Sequence, residues 1–452
     1  MIEQDIKYNS TQFLWLPKIP ENWLVHKFNR VAFYQEGPGL RNWQFTEDGI
    51  KVICVTNITE KGIDFSLLTR NISMEEYEKI YKHFTVQKGD YLLASSGASW
   101  GKVAEYNSDE TVILNTSTIR INTLDESIIN REFLYWLIKS PYVSEQLNLL
   151  LTGSCQPNFG PTHLSQLYVA LPKSIDDQFK IATFLKKKTS EIDKIVYKKE
   201  QLIQNLKEER IALVNQIVTK GSNDKIELKT SGVIWIGDIP KHWQMKKIKH
   251  LLQEKKAALK GGPFGTQLKT SDYVSSGEDI VKVYTQRNII DKDFASGDDF
   301  VTADKFKDLE AYEAYPNDLL VTTRGTIGKC AIMPNDAERG IMHPCLIRIQ
   351  LDENKVLTKW VENYFNETSY FLENVKMESN STIMDVIYGY TLSEIALPIP
   401  PVEEQIQLLK LIDAEKSRID NLLAKIHKEI ELIKEYKSSI INEYITGNTI
   451  LN

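Results

Sequence analysis

The sequence has few residues of the kinds that hold metals or form disulfides. Its 452 residues include four cysteines, and no two of them form a C-x-x-C pair. Its seven histidines include no pair at metal-binding spacing. Disulfide frameworks and structural zinc sites need such patterns. We therefore predict no disulfide and no metal site, and we expect reduced, buried thiols at Cys54, Cys155, Cys330 and Cys345.

Long apolar runs are also missing. The longest runs are only a few residues, and the N-terminal segment has no basic stretch followed by an apolar one. A membrane helix needs about 20 consecutive apolar residues. The composition, 42% apolar and 26% charged, is that of an ordinary globular protein. We therefore predict a cytoplasmic protein that makes no membrane contact.

Catalytic and cofactor-binding motifs are lacking as well. The segments 95–102 and 322–329 contain glycine and lysine, but not at the spacing of a nucleotide-binding P-loop. No Asp/Asn-Pro-Pro-aromatic motif of a methyltransferase occurs. The match of Glu227 and Lys229 to a nuclease motif is too short to carry weight. We predict that the chain has no catalytic residues and binds no cofactor itself.

An excess of positive charge is absent too. The formal net charge of −6 is divided into −4 for residues 1–172, +4 for 173–225, −4 for 226–400 and −2 for 401–452. Proteins that bind DNA draw much of their affinity from Lys and Arg at the phosphates. A DNA-binding role would therefore need positive residues gathered on one face, or a partner subunit that supplies them.

What the sequence does contain is an internal repeat. Two tryptophans around an Ile-Pro pair occur twice, 220 residues apart: Trp15, Ile19, Pro20 and Trp23 recur as Trp235, Ile239, Pro240 and Trp243. Further pairs follow in the same order at offsets of 227 or 228 residues: Asp90 and Asp318, Arg120 and Arg348, Leu164 and Leu392, and Gln178 and Gln405. So many ordered matches predict one fold occurring twice, with small loop insertions.

Each repeat ends in a long segment with helical periodicity and no proline. In the second repeat, isoleucines recur every seven residues, at Ile412, Ile419, Ile426, Ile433 and Ile440. The first has apolar residues at Ile181, Leu185, Ile192, Ile195, Leu202, Leu206 and Leu213. This heptad spacing is typical of coiled coils, and about forty residues would form a helix roughly 60 Å long. Gly221 and Gly447 are expected to end the helices.

The predicted fold class is mixed α/β. We predict two pseudo-symmetric α+β heads, separated by two long helices that pack as an antiparallel coiled coil. The predicted boundaries are residues 1–172 for head 1, 173–225 for the first helix, 226–400 for head 2 and 401–452 for the second helix. Strand-like runs, such as 50–55 and 280–284, and helical stretches near 131–150 and 356–376 indicate the mixed character of each head.

Polar loops recur at equivalent places in both heads, with different side chains. Glycines allow close backbone approach, and Arg, Lys, Asn and Gln are the types that read base edges or hold phosphates. The candidates for DNA contact in head 1 are Arg41, Asn42, Trp43, Gln44, Thr56, Asn57, Ser95, Ser96 and Lys102. Those in head 2 are Thr266, Gln267, Lys269, Thr285, Gln286, Arg287, Arg324, Thr326 and Lys329.

The glycine-containing loops, 36–44 and 261–269, have a simpler interpretation as plain surface turns. For Lys102 and Lys329 a purely structural turn explains the pattern equally well as a contact to phosphate. Arg120 and Arg348 lie in strand-like runs. We expect these two arginines to form ion pairs at the edge of the core rather than to read bases.

With these features together, the chain resembles the DNA specificity subunit of type I restriction-modification enzymes over essentially its whole length. The segments 235–243 and 399–405 are close to the family pattern, whereas the first junction, 171–178, lacks the second proline and uses Asp in place of Glu. The resemblance implies two target-recognition domains, each of which reads one half of a split site in double-stranded DNA. It also implies that the helices dock two methyltransferase subunits, and that restriction subunits join the complex. S-adenosylmethionine, ATP and Mg²⁺ would be bound by those partners.

Two other functions remain open at this stage. One is a coiled-coil scaffold whose two heads bind proteins or glycans. The other is an enzyme that acts alone, which would require the chain to methylate or nick DNA without partners. Because contacts to phosphate weaken with salt, salt-dependent binding to DNA distinguishes the DNA reader from the scaffold.

Overall fold

The computed structural model describes residues 7–13, 15–151, 158–223, 225–379 and 386–451. The chain divides into two compact units. Unit 1 consists of Met1–Lys199 and His427–Asn452, and unit 2 consists of Glu200–Ile426. Each unit therefore combines one of the two repeats with portions of both long helical segments.

The helices include two that are far longer than the rest. The first, α5, has 46 residues and the second, α11, has 44. The helices are α1 (Met74–Glu76), α2 (Arg131–Lys139), α3 (Pro141–Leu150), α4 (Pro161–Leu164), α5 (Ile175–Lys220), α6 (Gln286–Asp291), α7 (Ala303–Leu309), α8 (Thr358–Glu367), α9 (Tyr370–Ser379), α10 (Gly389–Glu394) and α11 (Val402–Ile445). The prediction of two long helices is confirmed.

Helices α5 and α11 run antiparallel where they meet within each unit. In unit 1 the Nζ atom of Lys437 lies 2.7 Å from a carboxylate oxygen of Asp193, and Lys199 pairs with Glu429 at 2.5 Å. In unit 2 Arg210 pairs with Asp420 at 2.8 Å. As residue numbers rise along α5, those of the partners fall along α11. The predicted antiparallel pair is therefore confirmed.

The apolar stripe of each helix is only partly covered. Ile181, Leu185 and Ile192 are buried in unit 1 together with the end of α11. In contrast, Ile195 is 48% exposed and Leu202 is 44% exposed, although both were predicted for the apolar seam. Two paired helices cover only one face of each other, so residues at the margin of a wide stripe stay accessible.

Unit 1 contains thirteen strands among its described residues. They are β1 (Tyr8–Phe13), β2 (Leu16–Pro20), β3 (Trp23–Lys27), β4 (Ala32–Glu36), β5 (Ile50–Ile53), β6 (Ile58–Thr59), β7 (Gly62–Ile63), β8 (Asn71–Ile72), β9 (Tyr91–Ala94), β10 (Val103–Glu105), β11 (Val112–Leu114), β12 (Thr118–Thr123) and β13 (Tyr168–Pro172). A four-stranded antiparallel sheet has the order β10-β9-β12-β4. A second sheet has the order β11-β5-β8, in which β11 and β5 are parallel. Strand β13 pairs with β3, and two further pairs are β1 with β2 and β6 with β7.

Unit 2 repeats this arrangement. Its strands are β14 (Leu228–Thr230), β15 (Asp238–Pro240), β16 (Gln244–Lys247), β17 (Leu259–Gly261), β18 (Ile280–Tyr284), β19 (Phe300–Thr302), β20 (Glu313–Ala314), β21 (Leu319–Thr322), β22 (Cys330–Ile332), β23 (Gly340–Met342), β24 (Leu346–Ile349) and β25 (Ala396–Ile399). The order β22-β21-β24-β17 matches the four-stranded sheet of unit 1, and β23 is parallel to β18 as β11 is to β5. Strand β25 pairs with β16, as β13 does with β3. The repeat in the sequence is thus a repeat of the fold.

A buried glutamine joins each long helix to its own repeat. The side-chain oxygen of Gln178 accepts a hydrogen bond from the backbone N–H of Asn130, and its nitrogen donates to the carbonyls of Ile128 and Pro172. Gln405 makes the same three bonds, with Leu357 N–H and with the carbonyls of Lys355 and Pro400. Both side chains are fully buried. The shared Gln of the two junction motifs therefore satisfies backbone groups that burial would otherwise leave unpaired.

The repeated tryptophans pack where a long helix ends. Gly221 follows α5 with a φ of 74°, and Gly447 follows α11 with a φ of 72°, which confirms that glycines end both helices. Within unit 2, a Cβ atom at Gly221 would lie 3.5 Å from the ring of Trp243. Within unit 1, a Cβ atom at Gly447 would lie 3.2 Å from Trp23. The two motifs therefore recur together because each Trp packs on a helix end.

Two of the described thiols are buried as predicted, Cys54 and Cys330, whereas Cys345 is only half-buried. Burial raises the pKa of the Cys330 thiol. Cys155 lies outside the described residues.

Candidate nucleic-acid interface

Three of the predicted loops of unit 1 meet at one turn, residues 115–117, which joins β11 to β12. They are the first loop (residues 37–44), the second loop (53–57) and the third loop (95–102). We call this turn and its counterpart in unit 2, residues 343–345, the hub turns. The N–H of Asn115 donates to the carbonyl of Ile53, at the start of the second loop (3.0 Å). The N–H of Ser95, in the third loop, donates to the carbonyl of Ser117 (2.9 Å). The first loop begins at Gly37, which lies against the hub turn. A Cβ atom at Gly37 would be 2.2 Å from the carbonyl oxygen of Asn115.

The hub turn of unit 2 makes the same contacts. The N–H of His343 donates to the carbonyl of Tyr284, and the N–H of Thr323 donates to that of Cys345, both at 2.9 Å. A Cβ atom at Gly262 would lie 2.2 Å from the carbonyl oxygen of His343. Only glycine tolerates such an approach, so the glycines of both first loops are explained by the hub.

The first loop of each unit contains a four-residue turn closed by a glutamine. In Arg41–Gln44, the side-chain oxygen of Gln44 accepts a hydrogen bond from the N–H of Arg41 (3.0 Å). In Phe264–Gln267, the oxygen of Gln267 accepts from the N–H of Phe264 (2.9 Å). We call these two segments the recognition turns.

A tyrosine fixes each recognition turn from outside the loop. Gln44 donates to the hydroxyl of Tyr81 (2.8 Å), and the hydroxyl of Tyr312 donates to the oxygen of Gln267 (3.0 Å). Gln44 is also buried. The prediction that Gln44 reads a base is therefore corrected: its amide is used to hold the turn. Gln267 is exposed, but its oxygen has the same internal role.

Exposed side chains remain at the tips of the first loops. Arg41, Asn42 and Trp43 are exposed in unit 1, as are Thr266 and Lys269 in unit 2. These are the members of the predicted set that can face a ligand there.

The second loop has an asparagine with a structural role in both units. The side-chain oxygen of Asn57 accepts from the N–H of Cys54 (2.8 Å), and its nitrogen donates to the carbonyls of Asp64 and Leu68. Asn57 is fully buried, so the prediction that it contacts DNA is corrected. In unit 2 the equivalent role belongs to Asn288, which accepts from the N–H of Thr285.

The neighbours of these asparagines are accessible. Thr56 is exposed, Thr285 and Gln286 are half-buried, and Arg287 is exposed. The guanidinium of Arg287 lies 3.4 Å from the carboxylate of Asp291, one helical turn away.

The third loop is tied to the second in unit 2. The amide nitrogen of Gln286 donates to the carbonyl of Arg324 (2.8 Å). Arg324 and Thr326 are exposed, whereas Ser95 in the equivalent loop of unit 1 is fully buried and Ser96 is half-buried. The prediction of a DNA contact is therefore corrected for Ser95.

Lys102 and Lys329 lie against a different part of each unit. Lys102 lines a cleft of about 300 Å³ with Trp100, Lys139 and Ser140. Lys329 lines a cleft of about 630 Å³ that also includes Arg210 of helix α5. Among the described residues, no backbone hydrogen bond joins Lys102 or Lys329 to a hub turn.

The strand arginines belong to the interior, as expected. Arg120 donates to the carbonyl of Thr85 (2.5 Å) and lies 3.7 Å from the carboxylate of Asp90. Arg348 lies 3.8 Å from the carboxylate of Asp318. Burial raises the pKa of Asp318, although hydrogen bonds and Arg348 oppose this shift. These paired groups stabilise the sheet and are not available to a ligand.

Within the ranges that the structure describes, no group of three or more His, Cys, Asp or Glu side chains is arranged to hold a metal ion. Over the same residues, none of the helices is both long enough and apolar enough to cross a bilayer.

Comparison with known proteins identifies the family. A family model described as the type I restriction modification DNA specificity domain matches residues 20–205 and 240–432. The chain belongs to this family. It is accordingly a non-catalytic specificity subunit, and the two matched segments correspond to the two repeats.

Curated relatives agree with this assignment. A putative type I restriction enzyme MjaX specificity subunit from Methanocaldococcus jannaschii is 22% identical over 437 residues, 95% of this chain and 94% of the relative. The MjaVIII specificity subunit of the same organism is 26% identical over 206 residues, 45% of this chain and 47% of that protein.

Two solved structures share the fold. A chain from work on the structural basis of complex assembly and conformational transition of the type I R-M system has a TM-score of 0.68 at 14% identity, and covers 95% of this chain and 99% of that one. The HsdS subunit of Thermoanaerobacter tengcongensis has a TM-score of 0.52 at 14% identity, with 95% and 98% covered. At this identity the likeness concerns the fold.

Several residues of the interface were missed from the sequence. Tyr81 and Tyr312 fix the recognition turns, and Phe264 is exposed at the tip of one. The recurrence of Gly-Pro followed by a glutamine in both first loops was the available signal. It could have shown that the glutamines share an internal role.

Proposed function

We propose that the chain is the DNA-reading subunit of a type I restriction-modification complex in which each repeat reads one half of a bipartite site in double-stranded DNA. The observation that carries the proposal is the pair of hub turns, because each gathers three polar loops in the same way. Loops with divergent polar tips on a shared frame suit a protein that reads two different short sequences. The domain boundaries proposed are those given above, 1–172 and 226–400 for the two readers.

The long helices are proposed to dock two methyltransferase subunits. Exposed apolar side chains along these helices support this role, because such stripes mark protein interaction sites. Phe179, Ile211, Ile406 and Leu432 are 48%, 45%, 43% and 50% exposed, respectively. Restriction subunits would complete the complex, and S-adenosylmethionine, ATP and Mg²⁺ would be bound by the partners. The complex would act in the cytoplasm.

The acidic balance fits this division of labour. The exposed cations proposed for DNA contact around the hub turns are Arg41, Lys269, Arg287 and Arg324. So few cations provide limited neutralisation of phosphates. The partner subunits would therefore supply much of the contact to the DNA backbone.

The proposal is tested by mapping methylated adenines in the host genome by single-molecule sequencing, with and without the gene for this chain. We expect one bipartite motif to lose methylation when the gene is deleted. Purified chain with its methyltransferase partners should bind that motif with an affinity that falls as salt rises. Salt-independent binding, or no lost motif, would refute the role in DNA reading.

The role of the helices in setting the distance between half-sites is tested by removing one heptad from each, residues 201–207 and 422–428. Seven residues of helix span about 10 Å, which is the length of about three base pairs of DNA. We expect the spacer to shorten by about that number while the half-site bases stay the same. As a matched control, Lys207→Ala with Lys425→Ala keeps both helices at full length and should keep the original spacer. A change in half-site bases in the shortened chain contradicts this role.

A further inference from the structure

Each recognition turn has one large aromatic side chain that the protein leaves exposed. Trp43 in unit 1 is 79% exposed, and Phe264 in unit 2 is 76% exposed. In contrast, Trp23 and Trp243 of the repeated motif are buried. Because exposing an indole or phenyl ring to water forgoes the gain from burial, two such rings, one in the first loop of each unit, call for a ligand that covers them.

The turns that carry these rings are held firmly. Each is closed by the side chain of its glutamine and by a backbone hydrogen bond, from Gln44 to Arg41 (3.0 Å) in unit 1 and from Gln267 to Phe264 (2.8 Å) in unit 2. Each glutamine also binds a tyrosine of a neighbouring segment. A ring on a turn that is already ordered loses little conformational entropy when it enters a binding site.

We propose that Trp43 and Phe264 each insert as an aromatic wedge between adjacent base pairs of the half-site read by their own unit. This inference rests on the proposed function. It adds two residues that bind the duplex by stacking and do not read a base edge. Apolar side chains of other DNA-binding proteins enter base steps and partly unstack them, and aromatic rings stack on any base because each base has a π-face.

The polar surroundings of the two rings favour DNA over a protein surface as the occupant. Arg41 and Asn42 precede Trp43, and Thr266 and Lys269 follow Phe264, all of them exposed. The segments that contain the two turns each have a net charge of −4, which limits the affinity available from phosphate contacts. Stacking supplies affinity that does not depend on charge.

The test uses the full chain assembled with its methyltransferase subunits, and a duplex containing the motif found by methylation mapping. The fluorescent base 2-aminopurine replaces each purine of the duplex in turn. The methylated adenines are left unchanged, because they are the substrates of the methyltransferase subunits. We expect the fluorescence to rise at one base step in each half-site, where the probe is unstacked. Trp43→Ala should remove the rise in one half-site only, and Phe264→Ala should remove it only in the other.

Affinity measurements provide a second readout. We expect Trp43→Ala to weaken binding by about 10- to 100-fold, the range for loss of one stacked base, with no change in its salt dependence, since no charge is lost. Trp43→Phe keeps a ring and should weaken binding by less than about threefold. Leu67→Ala, which removes a side chain of unit 1 that is 60% exposed, is the matched control and should have no effect.

The possible failures are distinguishable. If the wild-type complex binds its motif but no base step shows the rise, or if the rise survives both alanine variants, the wedge is refuted and the proposed function stands. A loss of affinity with unchanged fluorescence would place the rings against a partner subunit, and also refutes the wedge. If the wild-type complex has no preferred motif, the proposed function itself fails.

Discussion

The two units differ least at the hub turns and most at the tips of the loops around them. Gly37 and Gly262 approach the hub in the same way, and Gln44 and Gln267 close the turns that follow. From Gly37 to Gln44 the chain is two residues longer than from Gly262 to Gln267. The comparison shows that the duplicated fold preserves the backbone contacts that place a loop. The outward side chains then vary without cost to folding.

The largest expected effect tests whether the shared contacts stabilise both units equally. Gln178→Leu and Gln405→Leu each remove three hydrogen bonds to buried backbone groups. Because each unpaired buried group costs on the order of 1–3 kcal/mol, we expect each variant to lose about 3 kcal/mol or more. Hydrogen exchange followed by mass spectrometry measures the loss in each unit separately.

The pattern of exchange decides the outcome. Gln178→Leu should speed exchange in unit 1 around residues 128–130, and Gln405→Leu should do so in unit 2 around 355–357. Gln166→Leu, at an exposed position of unit 1, is the control and should leave exchange unchanged. If either buried variant behaves like the control, that glutamine does not stabilise its unit.

The difference between conserved backbone contacts and variable side chains also explains how much the sequence could predict. The long helices, their antiparallel pairing and the duplicated fold were predicted because apolar periodicity and ordered repeats record backbone structure directly. The roles of Asn57 and Gln44 were predicted wrongly. An amide in a polar loop has the same composition whether it faces solvent or satisfies backbone groups, and only the three-dimensional arrangement of Cys54, Asp64 and Tyr81 decides between the two.

A difference in acid sensitivity offers the next test of the comparison. Burial opposes the ionisation of Glu362 in unit 2, but hydrogen bonds from Lys292 and Lys359 outweigh it and hold its pKa below the ordinary value of 4.5. Glu367 is similar: burial opposes its ionisation, and Lys416 and Arg210 hold its pKa below the ordinary value.

Unit 1 lacks these carboxylates. Phe133 and Trp360 are equivalent residues, because they pack edge-on against Trp23 and Trp243, respectively. Counted from Phe133, the positions that correspond to Glu362 and Glu367 are Tyr135 and Ser140.

The sign of the pH effect follows from these lowered pKa values. A carboxylate whose pKa is lower in the folded state stabilises that state above its unfolded pKa, and this stability is lost as the pH falls through the folded pKa. We therefore expect acid to destabilise unit 2 more than unit 1 as the pH falls below about 4.5. Unit 2 should unfold at a higher pH than unit 1. Limited digestion with pepsin at stepwise lower pH, with fragments identified by mass spectrometry, measures this order.

Two variants sharpen the acid test. Glu362→Gln should destabilise unit 2 at neutral pH and reduce the further loss in acid. Glu145→Gln, at an exposed position in helix α3 of unit 1, should change neither. Opening of unit 1 first, or of both units at the same pH, would contradict the expected difference.

The smallest expected effect concerns a pair of equivalent positions with different charge. Arg324 in unit 2 forms an isolated bridge with Val386, and Ser96 in unit 1 forms the same bridge with Asn158, so both residues occupy one place in the fold. Arg324 is exposed. If it contacts a phosphate, Arg324→Ala should lower the slope of log affinity against log salt by about one and weaken binding by less than about tenfold. Ser96→Ala removes no charge and should leave the slope unchanged. A loss of preference at one base with an unchanged slope would instead make Arg324 a reader of that base, since contacts to base edges discriminate sequence while contacts to phosphate do not.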